Sequence, residues 1–202
     1  MSVLVITTGG TIGAMPYDDI YRQPIFKTMP PKGTDVVRTI LEREFSQYGL
    51  RIITLEQRDS NFINEEYRRG ILQKIEQAQE NRILITHGTD TILQTAEFFY
   101  DQRESSCALR DKIVVLTGSM VAISCGPESD GFLTIPFALS QLSYSLKSGV
   151  YIVLCDYDDV QAQTGWSPRL YPFTPKKYGK IHDLANMRRD RLYLLANQES
   201  NQ

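Results

Sequence analysis

Cysteine and histidine are scarce in this chain of 202 residues, with three of the first and two of the second. Cys107, Cys125 and Cys155 are odd in number, far apart and free of any Cys-x-x-Cys pairing. That argues against a disulfide framework and a zinc site, and reduced thiols suit a cytoplasmic protein. Charge of one sign is missing too. Lys and Arg number 22 against 24 Asp and Glu, for a net charge of −2 and an isoelectric point near 5.7. A chain so balanced lacks the broad basic face that phosphate backbones require, so no nucleic-acid partner is expected. Long apolar runs are absent as well. Val3–Ile6 and Tyr151–Cys155 have the length of strands, far short of the ~18–20 residues that cross a bilayer. The first residues show no basic segment, and the polar stretch Thr7-Thr8-Gly9-Gly10-Thr11 interrupts them early, so neither a membrane association nor a leader is expected.

What the chain does have is alternation. Strands are expected near Val3–Thr8, Arg51–Leu55, Arg82–Thr86, Lys112–Thr117 and Val150–Cys155. Ile83-Leu84-Ile85 and Ile113-Val114-Val115-Leu116 are apolar without a period of two, the mark of strands covered on both faces. Between them, Val36, Val37, Ile40, Leu41 and Phe45 fall on one helical face over residues 35–48. Tyr67, Ile71, Leu72, Ile75 and Ala78 do so over 64–79, Ile92, Leu93, Ala96, Phe99 and Tyr100 form a third stripe, and Phe137, Ala138, Leu142 and Leu146 a fourth. The expected fold class is α/β, a three-layer parallel sheet with helices on both faces in flavodoxin-like or Rossmann-like order. One domain is expected over residues 1–155. From Asp156 onward, Asp156–Asp159 and the Pro and Gly residues of Gly165–Pro175 predict an irregular or helical extension, 156–202, with no core of its own. The tail's basic residues, among them Arg169, Lys176, Lys177 and Lys180, read as a solvated surface rather than an anion site, and the Asp156–Asp159 run as a solvated loop rather than a metal site.

In an open parallel sheet, ligands bind beyond the carboxyl ends of the strands. Two exits are chemically unusual: Thr7-Thr8-Gly9-Gly10-Thr11-Ile12-Gly13 after the first strand, and Thr86-His87-Gly88-Thr89-Asp90-Thr91 after the third. The first fits no phosphate cradle, since no Lys follows Gly13 and the adjacent Gly9 and Gly10 break the Gly-x-Gly-x-x-Gly spacing. It offers a hydroxyl, Thr11, beside backbone N–H groups able to stabilise an oxyanion. The second offers Thr89 next to Asp90. Read as structure alone, Asp90 is a helix N-cap and Gly88 a turn residue.

Together these stretches resemble the signature of the asparaginase/glutaminase amidohydrolase family. Thr8-Gly9-Gly10-Thr11-Ile12-Gly13 is similar to its first threonine motif and His87-Gly88-Thr89-Asp90-Thr91 to its second. Leu116-Thr117-Gly118-Ser119-Met120 and Ser129-Asp130-Gly131 resemble two further, weaker stretches. The resemblance covers residues 1–155, the family's amino-terminal domain. It implies that Thr11 attacks a side-chain amide carbonyl to give an acyl-threonine and ammonia, which water then resolves. It also implies that Thr89, with Asp90, or a tyrosine of the segment after the first motif assists the proton transfer. Tyr17 and Tyr21 both stand there, in a polar, Pro-containing stretch suited to closing over substrate. The resemblance implies substrate contacts from Gly10, Asp59, Ser60, Gly88, Thr89 and Asp90, with Ser60 on an α-carboxylate and Asp90 on an α-ammonium. A capping or turn role for Ser60 before the helix at Asn64 is the alternative.

The chain departs from the family pattern in three ways. No Lys lies between Asp156 and Pro168, where the family's relay lysine is expected, so that Lys176, Lys177 or Lys180 would have to fill the role; Thr134-Ile135-Pro136-Phe137 stands where the family has Asn-Leu; and the length resembles that expected of a short, single-domain branch. Two functions are therefore expected in competition: an amidohydrolase acting on L-asparagine or a related small amide, and a non-catalytic amino-acid-binding or regulatory module of the same fold. No cofactor is expected in either, and the expected protein partner is a second copy of the chain.

Overall fold

Why the chain folds as it does is visible in its burial. In a computed structural model, residues 2–15, 34–144, 146–157 and 166–173 are described. Strands β1 (Val3–Gly9), β3 (Arg82–Thr86) and β4 (Ile113–Thr117) are buried almost throughout, as their unalternating apolar sequence requires. With β2 (Leu50–Arg58), β5 (Gly149–Tyr157) and β6 (Trp166–Pro172) they form one six-stranded sheet in the order β2-β1-β3-β4-β5-β6. The first five strands are parallel, in the flavodoxin-like order.

Among the described residues five helices cover the two faces: α1 (Val36–Glu44), α2 (Glu65–Glu76), α3 (Ile92–Ser105), α4 (Cys107–Arg110) and α5 (Gly131–Ser143). Alternate strand residues divide the core accordingly. Leu4, Ile6, Ile83, Ile85, Val114 and Leu116 meet Ile71, Ile75, Ala96, Phe99 and Leu109 on one face. Val3, Val5, Leu84 and Val115 meet Val37, Leu41, Ile135, Ala138 and Leu142 on the other. Truncating one such fully buried Leu or Ile to Ala costs about 2–5 kcal/mol. The starts of α1 and α2 are capped by polar side chains: Asp35 accepts from Arg38 N and Asn64 from Tyr67 N, both at 2.9 Å.

Beyond Asp156 a strand stands where an irregular or helical extension is expected. Trp166–Pro172 runs antiparallel to β5, with Pro168 opposite Cys155 and Pro172 opposite Tyr151. Two prolines in seven residues hide a strand from sequence reading, yet an edge strand tolerates them because one side of its ladder needs no donor. The core also reaches past the expected boundary, since Phe173 is buried and its ring lies 5.9 Å from that of Tyr100.

Candidate active site

The strand order reverses between β1 and β3, and the crevice at their carboxyl ends is where an open α/β sheet takes its ligand. The first and third exits are therefore neighbours, and glycine is what lets them touch. Gly9 and Gly10 have φ of 99° and 77°, a region side chains disfavour. A Cβ on Gly10 would stand 2.3 Å from the Cα and N of Gly88, and one on Gly88 would stand 2.6 Å from Ser60 Cβ and Oγ. A Cβ on Gly118, after β4, would meet the carbonyl oxygen of His87 at 2.6 Å and Thr89 Cγ2 at 3.2 Å. Four strand exits thus pack against one another through backbone.

Thr11 opens a short turn, Thr11–Gly13, directly after β1 and is half-buried, while Thr89 is 9 % exposed. Among the described residues, neither hydroxyl makes a hydrogen bond with the protein. Gly10 N donates to Arg58 O at 2.8 Å, which ties the first exit to the second. There Ser60 is 2 % exposed, and its carbonyl accepts from Thr91 Oγ1 at 2.7 Å, joining the second exit to the third.

The capping alternatives do not hold. Helix α3 begins after Thr91 rather than Asp90 and has no side-chain cap, and α2 is capped by Asn64 rather than Ser60. Asp59 has the local role, accepting from Asn61 N at 2.9 Å in the turn Ser60–Phe62. Asp90 is partly exposed and accepts from Asn61 Nδ2 at 3.0 Å, and the same amide donates to Asp59 Oδ1 at 2.9 Å. Asn61 is the site residue that sequence reasoning passed over. Its only signal was its position beside Asp59-Ser60, since its partner lies 29 residues away.

The two weaker motifs serve each other. The Asp130 carboxylate accepts from Met120 N at 3.0 Å and Val121 N at 3.0 Å, and Ser129 Oγ donates to Val121 O at 2.7 Å. The turn that opens α5 thereby holds the loop after β4. Thr134 Oγ1 donates to Gly118 O at 3.2 Å and ties α5 to the loop packed on Thr89. His87 is fully buried, and desolvation lowers its pKa to about 4, so the imidazole is neutral at pH 7. Tyr17, Tyr21, Lys176, Lys177 and Lys180 lie outside the described residues. Among the described residues no group of three or more His, Cys, Asp or Glu has a metal-holding arrangement, and no helix is long and apolar enough to cross a membrane.

Comparison with known proteins adds the following. The family described as asparaginase, N-terminal, matches residues 2–165. The thermostable L-asparaginase from Thermococcus kodakarensis is similar at 28% identity and a TM-score of 0.54, over 75% of this chain and 43% of that one. A probable cytoplasmic L-asparaginase from Campylobacter jejuni is similar at 22% identity and a TM-score of 0.57, over 74% of this chain and 44% of that one, which speaks to the fold alone. This chain spans less than half the length of either. A search of curated proteins found no match.

Proposed function

We propose, from the premise that this chain belongs to the asparaginase family through its amino-terminal domain, that it hydrolyses the side-chain amide of L-asparagine or a related small amide. The observation that carries the reading is the contact of Gly10 with Gly88 at the switch point, which sets Thr11 and Thr89 on adjoining loops. In the proposed reaction Thr11 Oγ bonds to the amide carbon as its proton passes, by way of the Thr89 hydroxyl or that of the lid tyrosine, toward the amide nitrogen. The C–N bond then breaks and the amide nitrogen leaves as ammonia with that proton. Water attacks the resulting ester, releasing the acid and restoring the hydroxyl. Backbone N–H groups of the glycine-rich first exit supply charge stabilisation to the oxyanion. Thr89 is the second hydroxyl, beside Asp90.

Asp90 and Ser60 fit the ends of an α-amino acid, a carboxylate for the ammonium and a hydroxyl for the carboxylate. Asn61, bonded to Asp90, orients that carboxylate. Gly10, Gly88 and Asp59 shape the floor and rim. Tyr17 or Tyr21 is the candidate lid tyrosine, as the family resemblance implies.

A second reading, a binding module that keeps the pocket without turnover, is favoured by the absence of any Lys from Asp156 to Pro168. Ammonia release measured across a panel of amino-acid amides, with binding of the same compounds followed by calorimetry, separates the two. Release from at least one amide supports hydrolysis; binding without release from any supports the module.

A further inference from the structure

Behind the third exit lies a chain of hydrogen bonds that the reaction above does not use. His87 Nδ1 is 2.7 Å from Gly88 O. A carbonyl only accepts, so Nδ1 carries the proton and Nε2 is left as an acceptor. Thr95 Oγ1, on α3, lies 2.9 Å from Nε2 and donates to it. Arg68 Nε, on α2, donates to Thr95 Oγ1 at 2.9 Å. A guanidinium has no acceptor, so the order is fixed at both ends: Arg68 to Thr95, Thr95 to His87, His87 to Gly88. His87 and Thr95 are each 0 % exposed, where an unmade bond is costly.

We infer that His87 is a positioning residue, and that this one-way chain fixes the Gly88 carbonyl and so the peptide that carries Thr89. The Gly88 C=O and the Thr89 N–H share one planar unit and point opposite ways. Holding the carbonyl on the imidazole therefore holds the Thr89 N–H away from it, and sets the start of Thr89. The Cα of Gly88, one corner of that unit, is packed closely against Gly10 and Ser60, so a rotation of the unit presses on both neighbouring exits. The inference rests on the amidohydrolase reading and deepens it, because it names what keeps the second threonine in register.

The test is steady-state ammonia release from L-asparagine, expressed per folded molecule, together with the ring 15N shifts of His87. In His87→Leu, kcat falls about tenfold with KM within about twofold of wild type, the pattern of a lost transition-state arrangement rather than lost binding. His87→Asn returns an N–H donor near the Nδ1 position and recovers most of the loss. Thr95→Val lowers kcat about threefold, and Thr95→Ser, which restores the hydroxyl, reverses it. Should His87→Leu fail to fold, the Thr95 pair decides. The shifts in wild type report a neutral ring protonated at Nδ1. Wild-type kcat in folded Thr95→Val and His87→Leu, or a ring protonated at Nε2, overturns the inference alone. No ammonia from the wild-type protein with any amide overturns the amidohydrolase reading, and this inference with it.

Discussion

The two edges of the parallel sheet are built on opposite principles. At the amino-terminal edge Lys112, Arg51 and Glu80 are tied to partners. Lys112, 4 % exposed at the entry to β4, donates through Nζ to Ala78 O at 2.9 Å and Glu80 O at 2.7 Å. Arg51 forks onto the Glu80 carboxylate at 2.7 and 2.8 Å, in the bidentate geometry that makes such pairs strong. At the carboxyl-terminal edge, glycines replace side chains at the points of contact, and two threonine hydroxyls make no protein hydrogen bond among the described residues. One edge closes the fold. The other leaves the Thr11 and Thr89 hydroxyls without a protein partner among the described residues, as the proposed site requires.

The largest effect expected is on that second edge. Thr11→Val keeps the β-branched shape and removes the nucleophile, so ammonia release falls by about a thousandfold or more while the thermal midpoint stays near that of wild type. Equal activity in the variant breaks the assignment of Thr11. Gly10→Ala comes next. Its Cβ has nowhere to go against the Gly88 backbone, so activity falls about a hundredfold and stability drops by about 2–3 kcal/mol, read from urea midpoints. On the opposite edge, Lys112→Met strands two carbonyls and costs about 2 kcal/mol, yet kcat per folded molecule is unchanged. A loss of kcat there denies the division between the edges.

The smallest effects separate the edges by pH. The unfolded His87 imidazole binds a proton as pH falls through its ordinary 6.5, whereas the folded one, buried, does so only near 4. Its contribution is thus present in full above 6.5 and is lost on acidification, about 1–2 kcal/mol between pH 7 and pH 5. Glu80 behaves differently, because Arg51 lowers its carboxyl from 4.5 to about 2. What it contributes persists until pH drops below 4.5, then fades toward 2. Denaturation of wild type and His87→Asn at pH 7, 5 and 3 checks both: the variant loses the upper slope and keeps the lower. A slope above pH 5 that survives in His87→Asn assigns the titration elsewhere.

Much of the fold is legible because its signals are local. Ile83–Ile85 and Ile113–Leu116 announce buried strands, and four apolar stripes announce four helices. The misses have local causes as well. Phe45 continues the stripe expected over residues 35–48, but the helix ends at Glu44 and Gly49, with φ of 62°, turns the chain into β2. Helix α5 starts at Gly131 and ends at Ser143, so Leu146 packs on the core from outside it. Helix α4 has four residues, too few for any period to register. At the site, the motif residues Thr11, Thr89, Asp90 and Ser60 are readable, but Asn61 to Asp90 and His87 to Thr95 are contacts between elements. No spacing along the chain encodes them.

The most direct measurement is rapid quenching of the wild-type protein with L-asparagine, followed by mass spectrometry of the peptide that carries Thr11. An aspartyl ester on Thr11 that forms at the rate of ammonia release and is absent from Thr11→Val is the predicted result. Ammonia release without an ester on Thr11, or with the ester on another residue, contradicts the assignment of Thr11 as the nucleophile at the switch point.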